Sequence, residues 1–154
     1  MDVLDLKIID ALLLNGRATW TELGLQLQLS IPTIAERVKK LEEQGVLQGY
    51  RVIVDYGALG FALTALVFVT LAHPKHRAEF IQKINSSAEV LECLHVTGDD
   101  DYMLKVVCRD SKHLDMFLNE HLKSIVGVAK TRTIIALSAP KERALGISEV
   151  MREG

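Results

Sequence analysis

The chain has 154 residues, of which 49% are hydrophobic and 25% are charged, and its formal net charge at pH 7 is -2. These values are typical of a globular protein with one domain or two small ones. They exclude a protein that binds nucleic acid through overall basicity, so any contact with DNA must come from local charge.

The sequence lacks the features of membrane and secreted proteins. Its longest apolar stretch, residues 62–72, is much shorter than the roughly 20 residues that span a bilayer. Asp2 and Asp5 stand where a signal peptide would have its basic start. Cys93 and Cys108 lie in apolar runs, which favours reduced, packed thiols over a disulfide framework. We therefore expect a cytoplasmic protein with no membrane partner.

The first part of the chain is predicted to form two helices. Residues 2–14 carry apolar side chains at helical spacing, and Asn15-Gly16 is a pair suited to a left-handed C-cap. Thr19 and Glu22 are spaced as a capping box, which predicts the start of the second helix. The apolar face of this helix is expected to contain Trp20, Leu23 and Leu27.

A third helix is predicted after a short break at residues 28–30. Ser30 is placed to cap it, and Pro32 is tolerated in the first turn because no backbone amide partner is needed there. The helix is expected to end at Gly45 and to bury Ile34, Val38 and Leu41. Two helices joined by so short a turn predict a helix-turn-helix domain.

Beyond Gly45 the pattern becomes that of an α/β domain. Residues 46–54 are rich in β-formers. A βαββαβ order, the ferredoxin-like arrangement, then follows, with elements predicted at residues 61–72, 74–84, 90–97, 102–108, 111–123 and 128–137. The expected fold class is α+β. Its parts are a three-helix, winged-helix-like helix-turn-helix domain at 1–50, a linker at 51–60, an oligomerisation and effector-binding domain at 61–139, and a charged tail at 140–154.

The exposed side of the third helix is the first candidate site. A recognition helix needs a packed back and a front of hydroxyl and long polar side chains that meet bases and phosphates. Arg37 lies at the edge of the buried side and is assigned a mixed role, which includes pairing with a neighbouring carboxylate. The candidates for contact with double-stranded DNA are Ser30, Pro32, Thr33, Glu36, Arg37, Lys39 and Lys40.

The charge of this domain predicts an oligomer. Residues 17–51 contain five basic and four acidic side chains, so the domain is nearly neutral. Each phosphate that a protein neutralises contributes about 0.9 to the salt dependence of binding, so a single domain should bind DNA weakly. Two domains on a dimer, on half-sites about one helical turn apart, would bind more strongly.

The second candidate site is the segment Gly98-Asp99-Asp100-Asp101-Tyr102 between two predicted strands. One interpretation is a polar hairpin turn, for which Gly and Asp are the usual residues. The other is a site where backbone amides and a carboxylate bind a zwitterionic ligand at a subunit interface. No calcium-loop spacing surrounds the three carboxylates, so no metal site is predicted here.

Other reactive side chains are interpreted as structural. Cys93 and His95 share one strand face and are expected to pack. His73 and His76 lie at a strand-to-helix corner, where capping is expected in preference to metal binding. Because the sequence has no phosphate-binding glycine loop and no nucleophile elbow, we expect neither enzyme activity nor a cofactor.

Taken together, several segments resemble the Lrp/AsnC (leucine-responsive, or feast/famine) family of transcriptional regulators. They are residues 5–9, 15–17, 29–30, 36–42, 45–47, 49–50, 98–102 and 131–133, and the resemblance covers nearly the whole chain. It implies that the βαββαβ domain forms dimers, helped by the strand after the DNA-binding module, and that dimers associate into octamers. It also implies an amino-acid effector between dimers, near Gly98, Asp99, Asp100, Asp101, Tyr102, Thr131 and Thr133.

Asp100 departs from the family pattern, which has an aromatic residue at this position of the turn. A carboxylate there would not give apolar contact and would repel the ligand's own carboxylate. We therefore hypothesise an altered effector range, towards a more polar or cationic ligand, or no effector. Two alternatives to a regulator are a tetrapyrrole (sirohaem) decarboxylase, which resembles the same two-domain fold, and a ligand-binding scaffold that does not contact DNA.

Overall fold

The structure is a computed structural model that describes residues 1–141, so the predicted charged tail lies outside the described residues from residue 142 onwards. The described chain forms two compact units, one ending at Ile53 and the other spanning Val54–Pro140. No helix in the described part of the chain is both long and apolar enough to cross a membrane.

The first unit contains three helices, α1 (Val3–Leu14), α2 (Trp20–Leu27) and α3 (Ile31–Glu43). Each helix begins where a side-chain oxygen accepts a hydrogen bond from an amide of the first turn, which satisfies a donor that has no partner within the helix. The predicted capping box is present, since the Thr19 amide donates to Glu22 and the Glu22 amide donates to Thr19. Ser30 caps α3 as predicted. A second capping box, formed by Asp2 and Asp5 at the start of α1, was not predicted.

The helix ends differ in part from the prediction. Asn15 ends α1 with φ -141°, so no left-handed cap forms there. Its side-chain oxygen instead accepts a hydrogen bond from the Arg17 amide at 3.1 Å, which turns the chain by a local side-chain contact. The left-handed residue is Gln28, with φ 56°, in the turn between α2 and α3. Gly45 has φ 70° and follows α3, at the predicted end.

The core of this unit is built from the apolar residues of all three helices. Its fully buried members are Ile8, Leu23, Ile34, Val38 and Leu41, together with the nearly buried Ile9, Ala11 and Leu12. Trp20 was expected on the apolar face of α2, but its exposed fraction is 37%. Gly24 lies where a Cβ atom would come within 2.8 Å of the Leu29 carbonyl oxygen, so the tight turn into α3 requires glycine.

No strand forms in residues 46–54, although the sequence favours one. Val52 and Ile53 are 87% and 97% exposed. A strand is stable only when its backbone groups pair with another strand, and this segment has no such neighbour among residues 1–141. The β-forming composition therefore does not produce secondary structure in the single chain.

The second unit has the predicted βαββαβ order. Its elements are β1 (Leu63–Leu71), α4 (Arg77–Asn85, preceded by a 3-10 turn at Pro74–His76), β2 (Val90–His95), β3 (Tyr102–Cys108), α5 (Ser111–Met116, continued as a π-helical turn at Phe117–Leu122) and β4 (Val128–Ala136). The four strands form one antiparallel sheet in the order β2-β3-β1-β4. This is the ferredoxin-like arrangement, and the α+β prediction is confirmed.

The sheet of this unit has two different faces. On one face Val67 and Leu104 pack against Phe80 of α4 and against Phe117, which follows α5, and all four are buried. The other face, here called the open face, has no helix of the unit on it. The strand register places on it Leu66, Phe68, Leu94, Met103 and Ile134.

Candidate DNA-contacting helix and ligand-binding turn

The packing of α3 leaves one side of the helix exposed. Ile34, Val38 and Leu41 are buried, and with 3.6 residues per turn this fixes which side chains face away. The exposed members of the predicted DNA-contacting set are Ser30, Pro32, Glu36, Lys39 and Lys40, while Thr33 and Arg37 are half-buried. The hydroxyls of Ser30 and Thr33 are hydrogen-bonded at 2.7 Å at the start of the helix.

Arg37 is held by two carboxylates of α1. Its Nη1 atom donates to Asp2 Oδ2 and to Asp5 Oδ1, each at 2.7 Å. The pKa of Asp2 is lowered by the Asp5 amide and by Arg37. Burial opposes ionisation of Asp5, but the Asp2 amide and Arg37 together still lower its pKa. The charge of Arg37 is therefore neutralised within the unit, and α3 is fixed against the start of α1.

Lys39 and Lys40 supply the remaining positive charge on this helix. Lys39 lies 3.7 Å from Glu43, but both side chains are largely exposed, so this pair is weak and open to exchange. Lys40 is exposed near the C-terminal end of α3. These two lysines are consequently the cations of α3 that remain exposed to solvent.

In the second unit, Asp101 of the candidate ligand-binding turn forms three hydrogen bonds with neighbouring segments. The Asp101 amide donates to the Val69 carbonyl at 2.9 Å, and its own carbonyl accepts from the Val96 amide at 3.0 Å. Asp101 Oδ2 accepts from the Leu71 amide at 2.7 Å. Gly98 has φ 119°, a conformation that glycine adopts without strain. The turn is therefore firmly attached to the end of β1.

The turn also presents unused donors. Among the hydrogen bonds of residues 1–141, none is donated by the amides of Gly98, Asp99 or Asp100. Backbone amides without partners attract an anion such as a carboxylate. The carboxylate of Asp99 is exposed beside them. The turn therefore offers both charges that a zwitterion requires.

The side chain of Asp100 contacts other side chains of the unit. Its Oδ2 accepts a hydrogen bond from Arg132 Nη2 at 2.8 Å, and its Oδ1 accepts one from Thr70 Oγ1 at 3.3 Å. Arg132 lowers the pKa of this carboxylate, with smaller support from Thr70 and Lys130. The carboxylate that was expected to repel a ligand is thus neutralised by Arg132 of β4.

The other residues assigned to the effector site lie at the same end of the sheet but are less available. Tyr102 is buried, and its ring packs 4.9 Å from Phe80 and 5.1 Å from His95 between ring centroids. Thr131 and Tyr102 both pair with Val69, from opposite sides of β1. Thr133 lies two residues further along β4 and is half-buried.

A small cavity beside the turn was not predicted. Its volume is about 270 Å³, and it is lined by Leu71, Pro74, Arg77, His95, Asp101 and Tyr102. The sequence contains one signal that could have found it, because a ferredoxin-like order places the end of β1 next to the start of β3. Arg77 has no carboxylate partner among the described residues, so the cavity has an unneutralised cation in its wall.

A larger cavity, of about 600 Å³, lies at the opposite end of the sheet. Its apolar wall includes Phe61, Leu91 and Met116, and Arg109 and His113 lie at its edge. His113 lies 3.4 Å from Glu89, and its Nδ1 accepts from the Arg109 amide. The Glu89 carboxylate, the His113 ring and the Arg109 amide are thus engaged with one another, unlike the free amides of the turn.

The cysteines and histidines show no reactive arrangement. Cys93 and Cys108 are free thiols, and burial raises the pKa of both, that of Cys108 to about 11. His73 Nδ1 accepts from the Lys75 amide, which is the predicted capping contact. Within residues 1–141, no group of three or more His, Cys, Asp or Glu side chains is placed to hold a metal ion.

Known proteins match both units. The family model of the AsnC-type helix-turn-helix domain matches residues 1–42, and that of the Lrp/AsnC ligand binding domain matches residues 64–145. The chain belongs to the Lrp/AsnC family. It is 36% identical over 141 residues to the Bkd operon transcriptional regulator of Pseudomonas aeruginosa, covering 90% of this chain and 92% of that protein. It is 35% identical to the leucine-responsive regulatory protein of Haemophilus influenzae, covering 92% and 87%.

Solved structures of Lrp/AsnC proteins have the same fold. Escherichia coli AsnC superposes with a TM-score of 0.88 at 31% identity, covering 95% of this chain and 98% of that one. A transcriptional regulator of Neisseria meningitidis in complex with L-Met gives a TM-score of 0.89 at 28% identity, covering 93% and 94%. The chain is a DNA-binding transcriptional regulator of the Lrp/AsnC type with a ligand-binding domain. Its relatives are regulators and not enzymes.

Proposed function

We propose that this regulator reads DNA with the exposed side of α3 and responds to an amino acid that binds at the turn formed by residues 98–101. The observation that carries the DNA-binding half is the packing of α3, whose buried back leaves hydroxyl and long polar side chains outward. Thr33 and Glu36 reach base edges, and Lys39 and Lys40 meet phosphates. Arg37 contributes by fixing the helix, because its guanidinium is already paired.

The effector half rests on the three free amides at Gly98, Asp99 and Asp100. They suit the carboxylate of an amino acid, and the exposed Asp99 carboxylate suits its ammonium group. The cavity beside the turn, lined by Arg77 and His95 among others, is placed to receive the ligand's side chain. A relative whose fold matches was solved with L-Met bound, which supports a ligand of this class.

The active species in this proposal is an oligomer in the cytoplasm. A second copy covers the open face, where Leu94 and Ile134 are 48% and 46% exposed. The segment that contains Val52 and Ile53 gains the strand partner that it lacks among the described residues of one chain. Dimers then associate further, as the family resemblance implies. Two recognition helices per dimer compensate for the nearly neutral charge of each DNA-binding unit.

The experiment that tests this proposal is an electrophoretic mobility shift with DNA from upstream of the protein's own gene, against scrambled DNA of equal length. Selective, stepwise retardation is expected, and an amino-acid screen on the same complex should then change the pattern. Equal, salt-sensitive binding to both fragments would contradict sequence-specific reading. Stepwise retardation that no amino acid changes would contradict the effector half alone.

A further inference from the structure

Asp100 and Arg132 form an ion pair that joins the turn to strand β4. The two residues are 32 positions apart, and their closest oxygen and nitrogen atoms are 2.8 Å apart. The Asp100 side chain is only 8% exposed, so its carboxylate is largely withdrawn from water. A charge in such a place is costly unless its partner stays in contact. The pair therefore restricts where the backbone of Asp100 can lie.

The arginine end of the pair is also fixed. The Arg132 guanidinium lies 4.1 Å from the centre of the Phe68 ring, a distance at which the cation is attracted to the aromatic face. Phe68 and Arg132 are directly paired across β1 and β4. Thr70, two residues further along β1, donates to the other oxygen of Asp100. One carboxylate thus connects the turn to the central strand and to the edge strand.

The position of this connection gives it a consequence for the ligand site. Asp101 is held by Val69, Leu71 and Val96, but it lies after the three free amides. Asp100 carries the last of those amides, and its side chain is anchored to Arg132 and Thr70, which limits how far this part of the turn can move. We propose that Asp100 and Arg132 are a positioning pair that holds the amides of Gly98, Asp99 and Asp100 in the geometry that receives a carboxylate. This inference rests on the proposed effector function.

The pair also bears on the ligand that the turn can accept. Because Arg132 neutralises Asp100, this carboxylate does not repel the carboxylate of an amino acid. The altered range hypothesised from the sequence therefore does not follow from the charge of Asp100. The family pattern has an aromatic residue at position 100. In this chain the position is Asp100, whose side chain contacts Arg132 of β4 in place of the ligand.

Hydrogen exchange of backbone amides tests the positioning role without any ligand. Asp100→Asn and Arg132→Gln should each accelerate exchange of the Asp101 and Leu71 amides by about tenfold. Without the ion pair, the turn opens more often while the rest of the sheet stays folded. Exchange at Val67, in the middle of β1, should stay unchanged. Lys130→Gln is the matched control, since Lys130 is a neighbouring cation of β4 without a hydrogen bond to Asp100.

Three outcomes would overturn the inference or support it. Unchanged exchange at Asp101 in both variants would refute it, and equal acceleration at Val67 would show general destabilisation in place of local positioning. Restoration to within about threefold of wild type by the exchanged pair, Asp100→Arg with Arg132→Asp, would support it strongly.

Calorimetry with L-methionine as the probe tests the link to binding. Asp100→Asn should weaken binding by about tenfold, and Asp100→Asn combined with Arg132→Gln should weaken it no further, because both changes remove one interaction. Wild-type affinity in Asp100→Asn would overturn the inference. If the wild type binds none of the common amino acids, the effector proposal fails, while the exchange data still decide whether the pair holds the turn.

Discussion

The two units hold their functional surfaces in place by different means. In the helical unit, Thr19 and Ser30 each cap the helix that follows, through contacts three residues apart. In the sheet unit, the turn is held by partners such as Leu71 and Arg132, 30 and 32 residues away. Local caps act one helix at a time. The turn has its shape only when the whole sheet has formed.

Loss of core packing in the sheet unit should give the largest effect. Phe117 is 1% exposed among the buried residues that cover the sheet. Phe117→Ala should lower the free energy of unfolding by about 3–5 kcal/mol, because it leaves a cavity as well as removing buried apolar surface. Denaturant unfolding followed by circular dichroism measures this loss.

The neighbouring residue provides the control for that prediction. Met116 is 42% exposed, so Met116→Ala should change the free energy of unfolding by well under about 1 kcal/mol. Similar losses for the two variants would mean that the packing of Phe117 does not hold the sheet and helices together.

Removal of the cap of α3 should have a smaller effect, confined to the helical unit. Ser30→Ala should cost about 1 kcal/mol, because the Thr33 amide loses its acceptor. The single tryptophan, Trp20, belongs to this unit, so its fluorescence follows the relevant transition. Ser30→Asp keeps an acceptor at the cap and should retain most of the stability. An equal loss in both variants would contradict the capping role.

The difference between the units also explains what the sequence could predict. Ser30 and the Thr19–Glu22 box were predicted because each contact spans three residues, which is visible as spacing. The βαββαβ order of elements followed from the alternation of strand and helix patterns along the chain. Residues 46–54 form no strand although their composition favours one. The reason is physical, because β-forming composition does not supply the strand partner on which a strand depends.

Contacts between distant residues were not predictable in the same way. The ion pair of Asp100 was not predicted, because one sequence does not show that residue 132 will face it across β1. A neighbouring carboxylate was anticipated for Arg37, but the two partners, Asp2 and Asp5, became known only from the packing of α1 on α3. The cavity beside the turn depends on the register of β1 with β3, which pattern alone does not fix.

The charges of α3 allow a finer distinction within the helical unit. Lys39→Ala and Lys40→Ala should each reduce the salt dependence of DNA binding by about 0.9, if each lysine neutralises one phosphate. Arg37→Gln should reduce it by less, because Arg37 is already paired. Mobility shifts over a series of salt concentrations measure these slopes. Unchanged slopes in both lysine variants would remove them from the contact surface.

The smallest expected effect concerns the ion pairs between Arg37 and the carboxylates of Asp2 and Asp5, which lie 35 and 32 residues away. Both carboxyl pKa values lie below the ordinary 3.8 in the folded chain. The pairing therefore contributes stability above the unfolded value, and this contribution is lost as the pH falls through the lowered folded values. The stability gap between wild type and Arg37→Gln, followed by Trp20 fluorescence, should narrow on acidification.

The control for this last prediction is Arg17→Gln, because Arg17 forms no ion pair among the described residues. Its stability difference from wild type should stay small and constant over the same pH range. A gap for Arg37→Gln that is independent of pH would mean that the arginine acts through its hydrocarbon stem and not through its charge. In that case the helical unit would rely on local caps and apolar packing alone, and its contrast with the turn of the sheet unit would be sharper.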